Sequence, residues 1–369
     1  MASVRVEAVG AATSLADRKT RAGQRLILGV HGHAVDSDLR ALVAAIQPAG
    51  FLLFGRNVAE PAQVLDLTEE LRSLVDPHRP PLLFIDQEGG RVQRIRAPAT
   101  EWPAADELAA SGRVREVACA LGTELRAMGL DVDLAPVADV RRSGAHEVIG
   151  DRAFGSSETA VADAVAAFVR GLLDAHVQPV AKHWPGHGAA TVDSHEALPV
   201  VELDRPELEA VDARPFLAAV AAGARAMLTA HVLYPALDEE WPASLSARHT
   251  ARLRPTFPGV LITDDLEMGA VAGAHPPERL ARRVACAGLD LAIVGHTAAT
   301  QMALYEAFVR DQEDDPGLDT LATDSARRVE AFREHTLLGR PPRPSLDLVG
   351  CAAHRQLRDD VLQRVRGRV

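Results

Sequence analysis

Cysteine, lysine and asparagine are scarce in this chain. Three of its 369 residues are cysteine. Cys119, Cys286 and Cys351 lie far apart and form no Cys-x-x-Cys pair, which excludes a disulfide framework or zinc knuckle and fits a reducing compartment. Lys19 and Lys182 are the two lysines, so 38 of the 40 basic side chains are arginine, and Asn57 is the sole asparagine. With that bias arginine content carries little meaning, and a lysine retained at position 182 carries more. The net charge is −11 with no Lys/Arg block, so the basic face of a nucleic-acid binder is lacking. No run approaches the ~18 apolar residues of a membrane span. The opening stretch Met1–Gly10 holds Arg5 and Glu7 and lacks the apolar core of a signal peptide. These absences predict a cytoplasmic protein with neither nucleic-acid nor membrane partners; they say nothing about oligomeric state.

What is present is a repeated alternation. Hydrophobic residues make up 47% and charged residues 25%, ordinary for a globular chain long enough to bury a full core. Short apolar runs occur at Arg25–Val30, Gly50–Phe54, Leu82–Asp86, Leu130–Pro136, Gln178–His183, Ala226–His231, Val260–Asp264 and Leu289–Gly295. They are near-continuously apolar, as parallel strands buried on both faces are. Helical spacing of apolar residues falls between them, at Asp36–Ile46, Pro61–Val75, Val114–Met128, Glu158–Ala175, Arg205–Ala222, Glu278–Ala287 and Thr300–Val309. Asp36, Ser156 and Asp204 are expected N-caps, Pro206 fits a first turn, and Gly129 and Gly223 are expected to end helices. Eight strand-then-helix units predict a (β/α)8 barrel of the TIM type. An open doubly wound sheet is the alternative, but Val30-His31-Gly32-His33 is not its glycine-rich first turn. The expectation is one domain over residues 1–369, with a core at about 20–340 and a helical extension at about 346–369 lying outside the barrel.

Polar residues gather where the runs end: His31 and His33, Arg56-Asn57, Asp86, Asp139, Lys182-His183, His231, Asp264-Asp265 and His296. In a barrel those ends form the active face. The richest segment is KHWPGHGAATVDSHEALP, residues 182–199, with His183, His187 and His195 in a glycine-containing loop. Asp193 stands two residues before His195, close enough for a carboxylate to fix the tautomer and strengthen the base. In LITDDLEM, residues 261–268, two aspartates close an apolar strand, a costly placement unless they are satisfied or used. One is expected to face the barrel mouth as nucleophile or metal ligand, the other to cap a helix beginning near Leu266. In LFIDQEGGRVQRI, residues 83–95, Asp86 precedes a Gly-Gly turn with Arg91 and Arg94 placed to grip hydroxyls or a carboxylate. Glu88 and Asp265 are expected partners of loop backbone. GDRAFG, residues 150–155, adds Arg152.

Together these segments resemble the family 3 glycoside hydrolases of the β-N-acetylhexosaminidase branch, and GFLLFGRNV and LAPVADV also resemble parts of it. The resemblance spans about residues 20–340 and is most specific in the KH-x-PGHG-x4-DSH element. It implies a single-domain (β/α)8 barrel that removes terminal β-linked N-acetylglucosamine with retention of configuration, with muropeptides of cell-wall recycling as a substrate class. It implies Asp264 as nucleophile, following Thr263 where the family more often has serine. It implies His195 with Asp193 as acid/base, and Asp86, Arg94, Arg152, Lys182 and His183 as sugar-binding residues. No metal or cofactor is expected, and the partner is a small saccharide.

Three rivals stay open at this point. His31, His33, Lys182, His183 and His231 mimic the ligands of a metal-dependent amidohydrolase, although the last strand ends in Gly295-His296 with no aspartate. A neutral histidine acid/base would also admit phosphate, giving a β-N-acetylglucosaminide phosphorylase on the same site. A non-catalytic saccharide-binding protein would not need Asp264, Asp193 and His195 together.

Overall fold

The computed structural model describes residues 13–367, so the leader reading of Met1–Gly10 lies outside the described residues. Among the described residues the strands β1 (Leu26–Gly29), β2 (Gly50–Leu53), β3 (Leu82–Ile85), β4 (Val132–Asp133), β5 (Gln178–Trp184), β6 (Ala226–Thr229), β7 (Val260–Asp265) and β8 (Leu291–Val294) form a closed parallel barrel. Pairing of Leu26 with Ala292 closes β1 onto β8, so the open sheet is excluded. Successive side chains of a strand point to opposite faces. Ile27, Phe84, Val180 and Ile262 therefore fill the barrel with their counterparts, while Leu26, Leu28, Leu83 and Leu261 pack outward against the helices. Phe332 and Val329, from the helix Pro316–Leu337, join the interior cluster.

Most expected helices form, with instructive differences. Asp36 caps Ser37–Ile46, its side chain accepting the Leu39 N–H. Asp204 caps its helix through the Glu207 N–H. The cap of Glu158–Asp174 is Ser157, not Ser156. The expected helix Arg205–Ala222 is broken into Arg205–Glu207, a wide turn at Leu208–Asp212 and Arg214–Ala222. Pro215, lacking an N–H, restarts the last piece in its first turn. Gly129 and Gly223 follow helix ends at φ +81° and +114°, as a terminating glycine should. Helices at Leu15–Gly23, Ala105–Ser111, Ala247–Leu253 and Pro316–Leu337 are not among those expected. The expected Thr300–Val309 extends to Ala298–Asp314, and Asp315 then caps Pro316–Leu337. After Leu346–Leu348, the helix Ala352–Arg366 packs outside the barrel on Ala105–Ser111 and Val114–Ala127.

One device recurs at the N-terminal end of the barrel. Asp131, just before β4, accepts the Leu83 N–H of β3 at 2.9 Å and pairs with Arg72 and Arg340. Asp290, just before β8, accepts the Leu261 N–H of β7 at 2.9 Å and pairs with Arg254 and Arg328. Each fully buried carboxylate thus ties two strands to two outer segments. Asp290→Ala would leave both arginines without their carboxylate and should cost about 3–5 kcal/mol of unfolding free energy. Denaturant melts of this variant measure the loss; a change under about 1 kcal/mol would mean that the pairs are effectively solvated.

Candidate active site

The opposite pole, where the strands end, holds a cavity of about 420 Å³. Asp86, Arg94, Arg152, Lys182, His183, Asp193, His195 and Asp264 all line it. The predicted site residues, spread over 179 positions of sequence from Asp86 to Asp264, are thus brought to one place.

Lys182 leaves β5 3% exposed and places its ammonium 2.6 Å from Asp86 and 2.7 Å from Glu88. Arg152 grips the other side of Glu88 with two hydrogen bonds, of 2.9 and 2.8 Å, and Arg94 reaches Asp86 at 3.4 Å. A compact ammonium fits between two carboxylates where a planar guanidinium would not, a physical reason for lysine in an arginine-dominated chain. Burial pushes Asp86 up, but Lys182 and Arg94 outweigh it and hold the carboxyl below its ordinary range. Glu88 is likewise held far below against its burial, by Arg152 and Lys182. Glu88 therefore does more than support loop backbone, the role expected of it. It sits in a small hairpin, Gln87–Gly89 with Val92–Gln93. Gly89, at φ +94°, has no room for a side chain, since a Cβ would lie 2.5 Å from the Pro103 carbonyl. Arg91 bonds Asp151 and the carbonyls of Val148 and Ile149, pinning the loop that carries Arg152.

The two aspartates at the end of β7 have different tasks. Burial would raise Asp264, yet His231, His183, the Asp265 N–H and Lys182 hold it below the ordinary carboxylate range. Asp265 accepts the Gly295 and Glu267 N–H groups at 3.1 and 3.0 Å and lies 3.3 Å from the His296 ring. Burial dominates there and pushes its carboxyl up to about 7. Asp265 caps no helix, because the next one begins at Gly269 rather than Leu266. Thr263 accepts the Ile293 N–H at 3.1 Å where the β7–β8 register shifts.

Asp139, after β4, organises the histidine-rich segment. One of its oxygens meets the His183 ring at 2.8 Å. The other accepts the His183 and His187 N–H groups at 3.2 and 2.7 Å. Asp193 lies 2.7 Å from the His195 ring and accepts its N–H at 2.9 Å. Against the burial that would raise it, those bonds keep Asp193 low. The His195 ring is 65% exposed at the cavity mouth.

Of the remaining strand-end groups, His296 also lines the cavity. His231 is sealed between the Ser244 hydroxyl and the Asp265 carbonyl. Arg56 bonds His296 at 3.1 Å and stacks over Phe54. His31 and His33 are exposed and lie outside the cavity lining, so the His-x-His pair does not join Lys182 and His183 as a metal-dependent amidohydrolase requires. Among the described residues no three His, Cys, Asp or Glu side chains are placed to hold an ion, and no helix is long and apolar enough to cross a membrane.

A closed (β/α)8 barrel with a carboxylate-, cation- and histidine-lined cavity at its strand ends has the architecture of a barrel enzyme. The model of the glycosyl hydrolase family 3 N-terminal domain matches residues 18–329. A beta-hexosaminidase of Alkalilimnicola ehrlichii is 39% identical over 282 residues, covering 73% of this chain and 80% of that protein. Among solved structures, a family 3 beta-N-acetylglucosaminidase from a Paenibacillus species superimposes with TM-score 0.87 at 32% identity, covering 94% of this chain and 68% of that one. NagZ from Neisseria gonorrhoeae, solved in complex with N-trifluoroacetyl-D-glucosamine, superimposes with TM-score 0.76 at 27% identity, covering 92% and 98%. The chain belongs to glycoside hydrolase family 3, in its β-N-acetylhexosaminidase branch, and is a glycoside hydrolase.

The state of Asp265 yields a pH prediction. Its folded-state value of about 7 lies above the ordinary 3.8, so between those values the folded chain keeps a proton that the unfolded chain has lost. Its contribution to stability is complete below about 3.8 and is lost as pH rises through 7. Asp265→Asn should remove that dependence, worth up to roughly 4 kcal/mol, and flatten the melting temperature against pH between 4 and 7. Parallel wild-type and variant curves would overturn this assignment.

Proposed function

We propose that this glycoside hydrolase is a retaining exo-β-N-acetylglucosaminidase acting on muropeptides or related saccharides in the cytoplasm, as one catalytic domain over residues 1–369 with a barrel core at about 20–340 and a helical extension at about 346–369. The observation that carries the reading is the pairing, in one cavity, of a half-buried carboxylate held below its ordinary range at Asp264 with an exposed imidazole oriented by Asp193. Retaining hydrolysis needs a nucleophile and a proton donor of this kind.

In this mechanism the sugar enters against Asp86, Arg94, Arg152, Lys182 and His183, whose polar groups bond its hydroxyls. An Asp264 oxygen attacks the anomeric carbon while the glycosidic C–O bond breaks, and the leaving oxygen takes a proton from His195. Water then attacks the same carbon, giving its proton to His195, and Asp264 departs as carboxylate. Neither step calls for a metal, a redox group or another cofactor. Buried, paired cations and carboxylates supply preorganised dipoles that need little rearrangement as charge develops. The relatives named beta-hexosaminidase and beta-N-acetylglucosaminidase support the choice of sugar.

A slow-turnover 2-acetamido-2-deoxy-5-fluoro-glycosyl donor, followed by mass spectrometry, should label Asp264; a label elsewhere, or none, would sink the nucleophile assignment. Asp264→Asn should bind sugar without measurable turnover. His195→Ala should lose about 10²–10⁴-fold in kcat/KM on disaccharides and little on aryl glycosides with good leaving groups, with Asp193→Asn a milder copy. An equal loss on both substrate types would exclude His195 as proton donor.

A further inference from the structure

His187 and Ser194 have no task in the chemistry above, yet they are 2% and 3% exposed, deep among polar groups. Ser194 stands between Asp193 and His195. All three residues, and His187 with them, line the cavity, and the Ser194 hydroxyl meets His187 Nε2 at 3.1 Å. The loop has other attachments. Gly269 N–H donates to the His195 carbonyl and Ala270 N–H to the Ser194 carbonyl, each at 3.2 Å. A Cβ at Gly269 would lie 2.7 Å from the His195 carbonyl, so the loop backbone rests directly on that helix. These are backbone contacts that do not depend on the Ser194 side chain. The His187–Ser194 bond differs because it leads to the sugar-binding wall. The His187 backbone N–H, not its ring, donates to Asp139 at 2.7 Å, and the other Asp139 oxygen meets the His183 ring at 2.8 Å. The two histidine rings stand edge to face at 5.6 Å.

We infer that His187 and Ser194 form a latch that sets the placement of the His195 ring relative to a sugar held by His183, making both positioning residues. The inference rests on the acid/base role proposed for His195. Through Asp139, the wall that receives the sugar and the loop that carries the proton donor share one anchor, so an error in one is transmitted to the other. Proton donation to a poor leaving group is sensitive to such placement, whereas departure of a good leaving group needs little protonation.

The test is kcat/KM measured across β-N-acetylglucosaminides of graded leaving-group acidity, from a disaccharide to an activated aryl glycoside. Loss of one neutral hydrogen bond in Ser194→Ala should lower the rate roughly 3- to 10-fold on the disaccharide and about twofold or less on the most activated glycoside, steepening the leaving-group dependence. Ser194→Thr, which keeps the hydroxyl, should recover most of the rate. His187→Gln should show the same selectivity, and His187→Gln/Ser194→Ala should lose no more than the worse single variant, because a single bond is removed. Should His187→Gln fail to fold, the Ser194→Ala and Ser194→Thr pair decides alone. Uniform loss across substrates, additive losses, or no loss in a normally folded Ser194→Ala would overturn the latch. His195→Ala measured alongside separates the two claims. Without selectivity in His195→Ala, the acid/base reading fails and the latch with it; with selectivity there and none in Ser194→Ala, the latch alone fails.

Discussion

The buried ammonium of Lys182 is the interaction on which the site depends. It draws together β5, the end of β3 at Asp86 and the hairpin at Glu88, and through Glu88 it reaches Arg152 on the next loop. Burying any one of these charges alone would carry a penalty of several kcal/mol. Each is tolerated because the others are present, so the cluster assembles as a unit or not at all. A wall built that way needs little reorganisation when a sugar replaces water, which is what electrostatic preorganisation requires. The same interdependence explains the short hairpin beside it, whose glycines let Glu88 approach without a side chain meeting Pro103.

The two poles of the barrel use similar residues for opposite ends. At the N-terminal pole, Asp131 and Asp290 each meet two arginines and a strand N–H, so their bonding capacity is largely used. At the C-terminal pole, Asp264 accepts the Asp265 N–H and otherwise faces the cavity, with His231, His183 and Lys182 acting on it through space. A carboxylate saturated by partners stabilises the fold, and one kept ionised with an oxygen to spare can react. The distinction lies in hydrogen-bond satisfaction rather than residue type, and it is why charged residues at the strand C-termini of such barrels read as chemistry while those at the other end read as stability.

This distinction also sets what the sequence could reveal. The barrel was legible because its strands are apolar on both faces, and the site because strand ends concentrate His, Asp, Lys and Arg that packing does not call for. Lys182 stood out by its rarity and Asp193-x-His195 by its spacing. The contribution of Glu88 was hidden because its partners, Lys182 and Arg152, lie 94 and 64 residues away in sequence, and pairing across loops leaves no periodic trace. Asp139 was visible as a strand-end carboxylate, but its three-way bonding to His183 and His187 could not be read from LAPVADV. The long pattern at Arg205–Ala222 kept helical spacing through a break imposed by Pro215, because burial of one face continues across the interruption. Ser156 and Ser157 are chemically equal as caps, and only the backbone path selects the second.

Asp264 and Asp265 show most directly how position overrides composition. Adjacent and identical, they are separated by the alternation of a strand. Asp264, half-buried, lies where two histidines, the Asp265 N–H and a lysine act on it, and together they outweigh desolvation, so its carboxyl stays below the ordinary range. Asp265 meets backbone N–H groups, with Glu267 and Asp264 adding negative charge nearby; desolvation prevails and the proton is retained to about 7. Farther in, Asp133 accepts the Gln87 N–H, and burial raises its carboxyl well above the ordinary value. The barrel thus holds three carboxyl groups of one residue type in different protonation regimes. The one held low at the cavity is the one beside Lys182, two histidine rings and a backbone N–H, and an ionised carboxylate is the condition a carboxylate nucleophile must meet before substrate arrives.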